Sequence, residues 1–89
     1  MIDREQIRIV VNEIFEKVLY TTNPDPTRSF EDWGIDSLDR MICIIEIEKR
    51  FNVKLTLEQV EIATNSNING TIDYMYKFLN QTNSGVEQR

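Results

Sequence analysis

The chain has no histidine, one cysteine, two prolines and three glycines in 89 residues. Each scarcity removes options. Without histidine there is no Ser–His or Cys–His nucleophilic pair and no imidazole to ligate a metal. The lone Cys43 leaves no partner for an intrachain disulfide, which points to a reducing compartment. No glycine-rich phosphate loop is present. No apolar run is long enough to span a bilayer, so membrane insertion is not expected. Met1-Ile2-Asp3-Arg4-Glu5 lacks the basic stretch and apolar core of a signal peptide, and a cytoplasmic location is expected. Basic residues are the minority, 10 against 15 acidic, for a net charge of -5. That balance argues against nucleic acid and anionic membranes as partners and suits a protein partner with a basic docking patch. Carboxylates are plentiful, but none is set in a recognisable catalytic dyad. Of the function classes, an enzyme has the least support.

What is present reads as one small all-α domain over residues 1–80, followed by a flexible polar tail over 81–89. A first helix is predicted from Asp3 to Tyr20. Ile7, Val10, Val11, Ile14, Phe15, Val18 and Leu19 repeat at three and four, which makes one core-facing stripe. Asp3 and Gln6 have capping-box spacing. Thr21 to Trp33 reads as a long loop, because Asn23 and Asp25 each precede a proline. Phe30 and Trp33 are expected to fold back and pin it, with ligand stacking as a second role open to Trp33. A second helix runs from Ser37 to Arg50 or Phe51. A short third spans Leu57 to about Thr64, opened by a Thr56/Gln59 capping box, with Val60, Ala63 and Ile62 as inward candidates. A last helix covers about Ile68 to Asn80, on the step Ile68, Ile72, Met75, Leu79. The expected architecture is a small four-helix bundle with a long loop between helices one and two.

The second predicted helix is apolar on two sides. At about 100° per residue, Cys43, Ile44, Ile47 and Phe51 share one side and are expected in the core. Leu38, Met41, Ile42 and Ile45 gather on the other. So small a domain cannot bury both, so Met41 and Ile45 are expected in an exposed or half-exposed strip near Ser37, with Leu38 and Ile42 open to either side. Cys43 then reads as a small buried hydrophobe.

The stretch Gly34-Ile35-Asp36-Ser37-Leu38 lies where the loop ends and this helix begins. Asp36 or Ser37 can serve as an N-cap, accepting a backbone N–H that the first turn leaves unpaired. Ser37 can equally be an attachment point, because a helix N-terminus favours an anion such as a phosphodiester. The two readings are compatible if Asp36 caps while Ser37 points outward. The run Phe30-Glu31-Asp32-Trp33-Gly34-Ile35-Asp36-Ser37-Leu38-Asp39 resembles the attachment segment of acyl carrier proteins. The order of helices over about residues 3 to 80 resembles theirs too. So do Phe30 and Gly34 ahead of the serine, Phe51 closing the second helix, and Ile72-Asp73-Tyr74 in the last.

The resemblance implies a discrete, monomeric carrier with no catalysis of its own. Ser37 would accept 4′-phosphopantetheine from coenzyme A through a separate Mg²⁺-dependent phosphopantetheinyl transferase. The arm would hold acyl groups as thioesters and shuttle them between enzymes of a fatty-acid, polyketide or specialised lipid or secondary-metabolite pathway. Gly34, Asp36 and Leu38 would support the attachment site. Acyl-activating, acyltransferase or synthase enzymes with basic patches would touch Glu31, Asp39, Arg40, Met41, Ile42, Ile45, Glu46 and Glu48.

The chain also departs from that pattern. Ile42 stands where a partner-contacting glutamate is usual, Lys49 and Arg50 replace acids, and Arg40 adds a positive charge. Trp33 stands where leucine is usual, and the link Thr64–Asn67 is longer than usual. These departures predict a dedicated carrier for a specialised pathway. Two alternatives stay open: an aminoacyl or peptidyl carrier, and a helical interaction domain without a prosthetic group.

Overall fold

The computed structural model describes residues 2–85. Every regular element among them is a helix: α1 Arg4–Leu19, α2 Phe30–Trp33, α3 Ser37–Phe51, α4 Leu57–Ala63 and α5 Ile68–Gly85. Four of these stand where apolar periodicity places them. The fifth, α2, is a single turn inside the segment expected to be irregular. Ser29 caps it by accepting the Asp32 N–H at 3.0 Å. Gly34 closes it at φ 71°, a left-handed conformation that costs a residue with a Cβ more than it costs glycine.

α1 packs against both α3 and α5, and α4 packs on α5. Ile7, Val11, Ile14 and Phe15 of α1 meet Cys43, Ile44 and Ile47 of α3 and Ile68, Ile72, Met75 and Leu79 of α5 in one buried cluster. α1 runs antiparallel to both neighbours. Ile2 N–H donates to Asn80 Oδ1 and Arg4 pairs with Asp73 at one end. Glu13 pairs with Arg50 at 3.2 Å, and Lys17, Val18 and Tyr20 share a cleft with Asp39, Ile42 and Glu46 near the other.

Several local expectations are corrected. Asp3 does cap α1, but by accepting the Glu5 N–H, with no reciprocal bond from Gln6. Ile62 was expected inward but is 48% exposed. A helix of seven residues offers one inward row, and Val60 and Ala63 fill it. Phe51 is half-buried, not fully within the core. α5 continues to Gly85, five residues beyond the expected stop at Asn80, because nothing from Asn80 to Ser84 breaks it. The expected tail over 81–89 therefore overlaps a helical turn, and residues 86–89 lie outside the described residues.

The long loop is held at both faces. Phe30 is buried and stacks on Phe15, with centroids 5.3 Å apart. Its N–H donates to Ser66 O at 2.8 Å, while Asn69 N–H donates to Pro26 O at 3.0 Å. Asn67 Nδ2 reaches Thr27 O at 3.3 Å. The loop before α3 is thus clasped to the link between α4 and α5. The first turn of α5 lies close against that link at Gly70, where a Cβ would lie 2.5 Å from Ser66 Oγ.

Candidate functional site

The site is built on the first turn of α3. Ile35 is buried and its N–H donates to Phe30 O at 3.1 Å, so the residue two before Ser37 is anchored in the core. Asp36 takes the N-cap: its Oδ1 accepts the Asp39 N–H at 2.9 Å. With Asp36 in that role, Ser37 is free to point outward. Ser37 is exposed, and its hydroxyl makes no hydrogen bond with any described residue.

Ser37 lies at the edge of a groove of about 400 Å³ between α3 and α4. Arg40 and Met41 continue the α3 wall, and Leu57, Val60, Glu61 and Thr64 form the opposite one. Arg40 is half-buried. Its Nη2 donates to Ile35 O at 2.9 Å, and its guanidinium lies 5.8 Å from the centre of the Phe30 ring. Its Nε is buried and finds no acceptor.

The strip expected on the outer side of α3 is there. Leu38 is 66% exposed, and Ile42 and Ile45 are exposed beside a half-buried Met41. Leu38 and Ile42, open to either side in the sequence, both face solvent. Among the acids, Glu31 is exposed on α2 and Asp39 is half-buried on α3. Glu46 pairs with Lys49 at 3.7 Å. Glu48 is turned back on the protein, where its Oε2 accepts the Leu55 N–H at 2.7 Å. Gly34 shapes the backbone ahead of the site through its left-handed turn.

Trp33 is half-buried against the core, and the Arg28 guanidinium lies 5.4 Å from its ring centre. That placement makes it a loop anchor. Cys43 is fully buried, and desolvation, followed by the charge of Asp39, pushes its thiol up from 9.0 to about 12. No cluster of carboxylates or cysteines among the described residues could hold a metal.

A family model for the phosphopantetheine attachment site matches residues 10–75. The chain belongs to the phosphopantetheine-binding carrier proteins. The family is one of carrier domains and not of catalysts, and its members bear 4′-phosphopantetheine covalently on a serine. Searches of curated proteins and of solved structures returned no significant match. The carrier has no helix among its described residues long and apolar enough to cross a membrane.

The serines within the matched span differ in availability. Ser29 Oγ is occupied in capping α2. Ser66 is exposed as well, but it does not line the groove, and its Oγ lies 2.5 Å from where a Cβ on Gly70 would stand. Ser37 has an exposed, unengaged hydroxyl beside a groove, next to a cation without a full set of acceptors. The residues present fit an anionic arm. Of the sequence expectations, the cap at Asp36 and the apolar strip are seen in the structure. Sequence reasoning missed the groove wall from α4, whose Leu57 and Val60 come close only once α4 has packed on α5.

Proposed function

We propose that Ser37 is the attachment serine and that the protein is a discrete cytoplasmic acyl carrier serving a specialised pathway. The observation that supports this most is the outward, unengaged Ser37 hydroxyl, released from capping because Asp36 takes that role. The bound arm would supply a terminal thiol on which acyl cargo is carried. The protein's own part is positional. Ile35 and Phe30 hold the loop, Asp36 holds the first turn of α3, and Ser37 is presented at the groove edge. Asp36, the adjacent carboxylate, spends its Oδ1 on the Asp39 N–H, which fits a structural role for it. On this reading the transferase supplies the base that takes the Ser37 proton. Gly34, Asp36 and Leu38 support the site, and Leu38, Met41, Ile42 and Ile45 form its apolar rim for partners.

The charges on α3 support a dedicated partner set. Asp39 near its start and Lys49 and Arg50 near its end give a split polarity, and Glu48 is engaged internally. A partner built for a uniformly acidic helix would meet poor complementarity. The four main helices support the bundle layout of such carriers, with a monomer as the working form.

Intact-protein mass after incubation with coenzyme A, Mg²⁺ and a broad-specificity transferase tests the assignment. The parent is expected to gain one phosphopantetheine and Ser37→Ala none. A gain on Ser37→Ala, or none on the parent with several transferases, rejects it. Loading assays with acyl- and aminoacyl-activating enzymes then separate acyl from aminoacyl cargo. Full-rate elongation by housekeeping fatty-acid enzymes would sink the specialised reading.

A further inference from the structure

Arg40 carries a charge that the fold leaves uncompensated. It sits one turn after Ser37, and residues three apart on a helix are side-chain neighbours. The ion pairs among the described residues are Arg4–Asp73, Arg8–Glu5, Lys49–Glu46 and Arg50–Glu13, and Arg40 is in none of them. Asp36 and Asp39 share its turn and Glu61 stands across the groove, yet none pairs with it. Of its donors, Nη2 is given to Ile35 O and Nε is buried without an acceptor. A guanidinium held half-buried, with one neutral acceptor and no carboxylate, is a poor arrangement on its own account. It becomes a good one if an anion arrives from the groove side, because a charge-assisted bond in a partly desolvated site is stronger than a neutral one.

The attachment reading supplies such an anion. We propose that Arg40 is the carrier's own counter-ion for the phosphodiester formed at Ser37, a positioning residue that holds the anionic root of the arm against the α3 wall of the groove. The proposal rests on the assignment of Ser37. It also accounts for a cation on the one turn of α3 where a basic partner patch would least welcome it. Arg40 serves the arm, leaving Asp39 and Glu46 to face the partner. Its anchorage to Ile35 and the Phe30 ring keeps the guanidinium in place before loading, so little ordering remains to be done when the arm arrives.

The test compares thermal midpoints of apo and holo protein for the parent, Arg40→Gln and Arg40→Lys, with intact mass confirming each state. Losing the Ile35 and Phe30 contacts lowers apo and holo alike, so only the holo-minus-apo difference reports on the arm. The parent is expected to gain about 4–8 °C on loading in a domain of this size, and part of that gain is expected to be lost in high salt. Arg40→Gln should lose the gain, and Arg40→Lys should keep part of it. A second readout needs no variant. In holo parent the Arg40 Nε–H resonance is expected to shift from its apo position, and the ³¹P resonance of the phosphodiester to move with added salt. Equal gains in parent and Arg40→Gln, or an Nε–H signal unmoved by loading, overturn the role of Arg40 while leaving Ser37 intact. A parent that takes up no phosphopantetheine removes the attachment reading, and this proposal with it.

Discussion

Cys43 should be invisible to thiol reagents while the protein is folded, and the size of that protection follows from its surroundings. Burial raises the thiol from 9.0 to about 12. At pH 8 a thiol with the ordinary value is about one-tenth thiolate, and one near 12 is about one ten-thousandth, a difference of roughly a thousandfold in the reactive form. Its full burial adds a second barrier, since the reagent must wait for an opening of the core. A chromogenic disulfide reagent at pH 8 is therefore expected to find no fast thiol in the native apo protein and one in denaturant. After loading, one fast native thiol should appear, that of the arm, and it should persist in Cys43→Ala. The stability of the fold should respond as well. The folded pKa is raised, so the contribution is complete below pH 9 and declines as the unfolded state ionises first between about pH 9 and 12. The parent should lose up to about 1.4 kcal/mol per pH unit more than Cys43→Ala in that window. A native apo protein that reacts at the rate of a free thiol, or two variants with equal alkaline slopes, would refute the argument.

Phe30→Ala removes a buried ring stacked on Phe15 and should cost about 3–5 kcal/mol, read as a fall in thermal midpoint of at least about 12 °C. A loss below about 1 kcal/mol would mean that Phe30 is not the loop's anchor. Ile42→Glu changes a side chain that is 39% exposed, so stability should move by less than about 0.5 kcal/mol. The rate of loading by housekeeping fatty-acid enzymes should rise, and an unchanged rate would remove Ile42 as a determinant of partner choice.

The long elements were legible because periodicity and capping agree in them. Thr56 and Gln59 form the reciprocal box that their spacing announces. Asp36 and Ser37 divide capping and exposure as the two compatible readings allowed. What escaped was short or tertiary. α2 has four residues, too few for a periodic stripe, although Ser29, Asp32 and Gly34 carry its start and stop chemistry. Thr64 and Thr71 are polar by type, yet both are buried with their hydroxyls donating to carbonyls, Thr71 to Ala63 O at 2.6 Å. The bond from Leu55 N–H to Glu48, one of the acids expected to face partners, joins residues seven apart and is not visible in the chain alone.

The antiparallel run of α1 has a practical side. Ile2 meets Asn80 at one end of the molecule, while Lys17 and Tyr20 lie beside Asp39 at the end from which α3 begins. The sixteen residues of α1 separate these ends by about 24 Å at 1.5 Å per residue. A fluorophore, affinity handle or solid support joined ahead of Ile2 therefore stands a full helix length away from Ser37. The carrier could be immobilised by that end, in a uniform orientation, with its groove turned toward the enzymes in solution.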